Sequence, residues 1–140
     1  MATSTNTKKR STTSSLPRVA ANELGKLPPQ ALELEESVLG ALLIEKDAFA
    51  TIADLLRPES FYSAQHSIIF EAIRALAAKD APIDILSVVE QLKFTGNLEK
   101  AGGVVYLSEL TRRVASAAHL RYHAQIVAQK STARDLISMA

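Results

Sequence analysis

His119 and His123, four residues apart in "HLRYH", are the first pair whose type and spacing could do chemistry. On a helix their rings share a face and could reach one zinc ion, but zinc sites usually take three protein ligands, and no carboxylate completes an H-E-x-x-H arrangement. The pair reads better as helix-surface or interface histidines. His66, alone in "SAQHSII", reads as a packing or hydrogen-bonding residue near a helix start. The carboxylate pairs Glu35/Glu36 and Asp80/Asp84 could support acid–base work, yet nothing else marks a substrate cleft, and helix-dipole or capping roles account for them. A phosphate-cradling loop would need G-x-x-x-x-G-K-[ST], and none of Gly25, Gly40, Gly96, Gly102 or Gly103 begins that pattern. The absence of cysteine excludes disulfides, thiolate metal sites and cysteine nucleophiles, and fits an intracellular, cytoplasmic setting. No catalytic, cofactor-binding or metal-ligating residue is therefore assigned, and this chain alone is not expected to hydrolyse ATP.

These residues sit on a chain that reads as helical from residue 28 onward. After Pro28 and Pro29, Glu33, Glu35 and Glu36 suit the positive end of a helix dipole, and Leu34, Val38, Leu39, Leu42 and Leu43 form a buried stripe. Asp47 is placed to cap a short second helix carrying Phe49, Ile52 and Leu56, halted at Arg57 because a residue before proline is pushed out of helical space. Ser63 is a candidate N-cap for a helix with Ile69, Ala72, Ile73 and Leu76. Asp84 is a candidate cap for "ILSVVEQLKFTG", with Gly96 suited to the left-handed position past its end. In "VVYLSELTRRV", β-branched Val104 and Val105 leave a strand possible, but Leu107, Leu110 and Val114 repeat at helical spacing, so a helix is expected. Two helices flanking "KFTGNLEKAGG" could form a DNA-reading helix-turn-helix using Arg112 and Arg113, although the turn is long for that motif.

Of 140 residues, 47% are apolar and 22% charged, as expected of one globular domain. Residues 1–26 carry five basic side chains against Glu23, a net of +4, so the overall +1 leaves residues 27–140 at −3. A mildly acidic folded part argues against a domain built chiefly to neutralise phosphates. The first 27 residues, rich in Ser and Thr and basic, read as a disordered tail. The longest apolar run, "VLGALLI" at 38–44, is far short of the ~20 residues a membrane helix needs.

Four segments in series resemble the N-terminal domain of the DnaB-type replicative DNA helicases of bacteria: "PPQALELEESVLGALLIEKDAF", "LLRPESFYSAQHSIIFEAI", "APIDILSVVEQLKFTGNLEKAGGVVYLSEL" and "AAHLRYHAQIVAQKSTARDLI". The specific matches are Glu36-x-Val38-Leu39-Gly40, Phe61-Tyr62-x-x-x-His66, Pro82-Ile83-Asp84 and Gly102-Gly103-x-x-Tyr106-Leu107. Ser87 departs from the family's frequent Thr, and Ala115 and His119 from its frequent Pro and Asn. The resemblance implies an all-α fold, a small orthogonal bundle of about five or six helices over residues 28–102, then a helical hairpin over 103–128. It further implies a collar in which hairpins pair subunits within a hexamer, a docking platform for primase, and a following motor that uses ATP and Mg and encircles single-stranded DNA. Residues 129–140 are expected to begin the connection toward that motor, which this chain lacks.

The last helix supports a contact role from its own pattern. Ala118, Tyr122, Ile126, Ala133, Leu136, Ile137 and Ala140 fall on one side, and Leu120, Ala124 and Val127 nearly opposite. One apolar face can pack on its own hairpin partner through Leu107, Leu110 and Val114, and the other needs the globular half or a second subunit. The subunit interface is accordingly expected at Tyr106, Leu107, Leu110, Val114, Leu120, Ala124 and Val127, and a DNA-binding regulator remains the alternative.

Overall fold

The structure, a computed structural model, describes residues 29–114 and 116–139. The expected disordered tail lies outside the described residues. Among the described residues there are six α-helices: α1 (Pro29–Ile44), α2 (Ala48–Ile52), α3 (Ala64–Ala78), α4 (Ile85–Thr95), α5 (Gly103–Arg112) and α6 (Leu120–Met139), with a 3-10 turn at Pro58–Ser60 between α2 and α3. No strand occurs among them, and Val104 and Val105 are helical.

Helix α1 is the hub. It packs against α2, α3, α5 and α6, while α4 closes the far side on α3 and α5. Its sequence explains this, because Val38, Leu39, Ala41, Leu42 and Leu43 are all buried and surround the helix. A helix that is apolar all round is stable only when its neighbours cover it all round. Phe70, Ile69 and Ile73 of α3 and Leu107 and Leu110 of α5 complete the core. Phe70 packs its ring against Phe61 and Phe49, with centroids 5.1 and 5.8 Å away.

Gly40 sets how closely α1 and α5 approach. A methyl group there would collide with the Leu110 carbonyl oxygen and a Val114 methyl. The glycine lets two backbones meet where a side chain would hold them apart.

The local signals behave as their chemistry dictates at three of four caps. The Ser63 hydroxyl accepts from the His66 N–H, and the Asp84 carboxylate accepts from the Ser87 N–H at 2.8 Å. Gly96 adopts φ 75° and closes α4, with the following Asn97 N–H returning to the Leu92 carbonyl. Asp47 differs from expectation. It stands at the N-cap position of α2 but is itself left-handed, at φ 68°, and its side chain makes no cap bond. It serves the turn out of α1, and α2 ends at Ile52, well before Arg57.

Candidate functional site

The two elements expected to form a pairing hairpin, α5 and α6, each pack chiefly on α1 and hardly on one another. Of the seven expected interface residues, Leu107, Leu110, Leu120, Ala124 and Val127 are buried by their own chain, and Tyr106 and Val114 are half-buried. The α6 face carrying Leu120, Ala124 and Val127 is the one seated on the core, so these side chains anchor the arm. The opposite face is open. Tyr122 and Leu136 are 63% and 64% exposed, Gln129, Ala133 and Ile137 are exposed, and Ile126 is half-covered. Tyr122, Ile126, Gln129, Ala133 and Leu136 repeat at four and three residues, the spacing of a helix-pairing seam. Gln129 puts one polar side chain at its middle, a position where such a residue fixes register at some cost in stability.

Two arginines fix α6 to the globular head. Arg121 donates to the Thr51 carbonyl oxygen and faces Asp54 at 3.4 Å, which holds that carboxyl below the usual aspartate range. Farther along, Arg134 donates to the Ser60 carbonyl oxygen and lies over the Tyr62 ring, 5.4 Å from its centroid.

A chain of polar side chains ties α1, α3 and α5 together beneath this surface. Glu35 is 2% exposed, and its carboxylate accepts from the Tyr62 N–H at 2.6 Å and the Ser63 N–H at 3.4 Å. The same group meets His66 Nδ1 at 2.7 Å. His66, also 2% exposed, meets the Tyr106 hydroxyl through Nε2 at 2.7 Å. Tyr106 donates to Glu36 at 3.2 Å, and Arg113 closes the series on Glu36 at 2.5 Å. Burial, then the nearby Glu36 charge and its hydrogen bond, push the Tyr106 hydroxyl well above the ordinary tyrosine range.

This network is the part of the site that sequence reasoning missed. In the sequence Glu35 reads as a dipole acid, but it lies seven residues into α1 and on the buried stripe with Ala31, Val38 and Leu42. A carboxylate at a core position is the available signal, since buried charges require partners. Those partners lie in the very segments that carry the family resemblance, around Phe61-Tyr62, His66 and Tyr106.

The other candidates place differently. The His119 and His123 rings are 6.2 Å apart, and no group of three or more metal-capable side chains occurs among the described residues. Arg112 pairs with Glu109, and Arg113 with Glu36, so the two groups that a DNA-reading helix-turn-helix would use are engaged by carboxylates of their own chain. No described helix is long and apolar enough to cross a membrane.

Six described helices, one of them an apolar hub, with a buried polar clamp and one largely uncovered helix face, define an all-helical domain. The DnaB-like helicase N terminal domain family model matches residues 27–129, and the chain belongs to that family. It is 52% identical over 108 residues to the replicative DNA helicase DnaB of Rhodothermus marinus, covering 77% of this chain and 12% of that protein. Against the Geobacillus stearothermophilus DnaB it is 42% identical over 115 residues, covering 82% and 25%. The chain thus spans a quarter or less of these relatives. The crystal structure of the N-terminal domain of DnaB from Mycobacterium tuberculosis superposes with a TM-score of 0.75 at 40% identity, covering 80% of this chain and 79% of that one. A second structure, of a DnaB-like replicative helicase and its interactions with primase, gives a TM-score of 0.65 at 30% identity, covering 76% and 24%.

Proposed function

We propose that this domain is the non-catalytic collar of a replicative helicase in the bacterial cytoplasm, pairing subunits within a hexamer and offering a docking platform to primase. The observation that carries the pairing is the open stripe on α6, Tyr122 through Leu136, which the described residues leave largely uncovered. Two such stripes bury one another at helix-pairing spacing. The buried set Leu107, Leu110, Leu120, Ala124 and Val127 acts one step back, by seating α5 and α6 on α1 so that the stripe is presented rigidly. Tyr106 and Val114 complete that seat.

Primase enters as a partner because one similar structure concerns a DnaB-like helicase and its interactions with primase. Unwinding, ATP and Mg, and the encircling of single-stranded DNA belong in this reading to a motor outside these 140 residues, consistent with the absence of a phosphate-binding loop here.

Sedimentation of the chain at rising concentration tests the pairing. Self-association is expected, and Tyr122→Asp or Leu136→Asp is expected to abolish it while leaving the helical content intact. A chain that stays monomeric, or variants that associate as well as the parent, would contradict the reading.

A further inference from the structure

The clamp of Glu35, His66, Tyr106 and Glu36 contains more hydrogen bonds than its neutral parts have protons. Three contacts run in series: Glu35 Oε1 to His66 Nδ1, His66 Nε2 to Tyr106 Oη, and Tyr106 Oη to Glu36 Oε2. Each needs one hydrogen between its two heavy atoms. Two carboxylates supply none, a neutral imidazole supplies one and a phenol one, which leaves one contact without a proton. We propose that the fully bonded clamp holds a third, dissociable proton on the His66 ring, which is paired with Glu35 at 2.7 Å, and that its release makes the attachment of α5 to α1 sensitive to pH.

Charge points the same way. The groups facing the clamp are Glu35 and Glu36 from α1, the Tyr62 and Ser63 N–H groups from the segment before α3, and Tyr106, Arg113 and Glu109 from α5 and its end. Gln65 of α3 is committed to the Ala101 carbonyl oxygen, and Arg134 of α6 lies over the ring of Tyr62. With the third proton present, Glu35 is balanced within its pair with His66, and Glu36 by Arg113. Without it, one negative charge is left at a position 2% exposed, where uncompensated charge is disfavoured.

The loss has a definite structural address. When the proton leaves to water, the remaining ring proton stays on Nδ1, facing Glu35, and Nε2 becomes an acceptor. The single Tyr106 hydrogen then serves either Nε2 at 2.7 Å or Glu36 at 3.2 Å. It turns to the nearer ring nitrogen, and Glu36 keeps only Arg113. Glu35 and His66 exchange this proton as one unit, so the step belongs to the pair.

Nitrogen-resolved NMR of the imidazole, with amide hydrogen exchange across α5, tests this between about pH 5 and 8. In the parent chain His66 is expected to carry protons on both nitrogens at the acid end and to lose one on titration. Protection of the amides around Tyr106, corrected for intrinsic exchange, is expected to fall by a few-fold to about ten-fold, the worth of one hydrogen bond. Tyr106→Phe, which retains the ring packing, is expected to flatten that fall, as is His66→Gln if it folds. A ring with one proton throughout, or a pH dependence of α5 protection that Tyr106→Phe leaves unchanged, would overturn the proposal.

Discussion

Glu35 ties the segment leading into α3 to α1. It replaces the apolar side chain that its place on α1 calls for, and in exchange binds two backbone N–H groups and His66 from the segment entering α3. Glu35→Ala leaves the buried His66 ring and the two backbone donors without that carboxylate. Breaking a buried pair from one side costs about 3–5 kcal/mol, so chemical denaturation is expected to show a loss of that order. Tyr106 adds an alkaline signature. Its folded-state pKa lies above its unfolded value, so its stabilisation is complete below about pH 10, the ordinary tyrosine value, and declines as pH rises beyond it. Melting temperature should fall more steeply above that pH in the parent than in Tyr106→Phe. At this scale the sequence was least legible. Ser63 and Asp84 announce themselves because a cap is a local matter of three residues, whereas Glu35 and His66 stand 31 positions apart, His66 and Tyr106 40, and only folding brings them together.

Among the elements, periodicity carried most of the information. Helices α3 and α4 follow from apolar spacing and caps, and Gly96 ends α4 where its backbone freedom is needed. Asp47 shows the limit, since a residue able to cap a helix equally suits a left-handed turn, and which role it takes depends on how α1 ends. Gly40 tests the α1–α5 crossing. Its neighbour is the Leu110 carbonyl oxygen, part of a backbone that cannot swing aside as a flexible side chain would. Gly40→Ala is expected to destabilise by about 1–3 kcal/mol despite alanine's better helix propensity, read by thermal unfolding. A neutral or stabilising result would mean that the two helices separate without cost.

For the whole molecule, the family and the all-α class were legible because they rest on many weak matches in order. The face proposed to pair subunits was not, and the reason lies in α6. Both faces of its first half are apolar, and sequence alone could not say which face α1 would take. The structure seats Leu120, Ala124 and Val127 inward, which leaves Tyr122, Leu136 and Ile137 facing out. The same amphipathic ambiguity placed five residues that the chain itself buries among the expected interface residues.

If the outward stripe joins subunits while the inward one holds the head together, the two faces of α6 must respond differently to a buried charge. Sedimentation equilibrium of the parent, Leu136→Asp and Val127→Asp, each checked for helical content, separates the two roles. The expected result is a self-associating parent, a folded monomer for Leu136→Asp, and loss of folded structure for Val127→Asp. A folded, monomeric Val127→Asp beside an associating Leu136→Asp would reverse the assignment of the two faces.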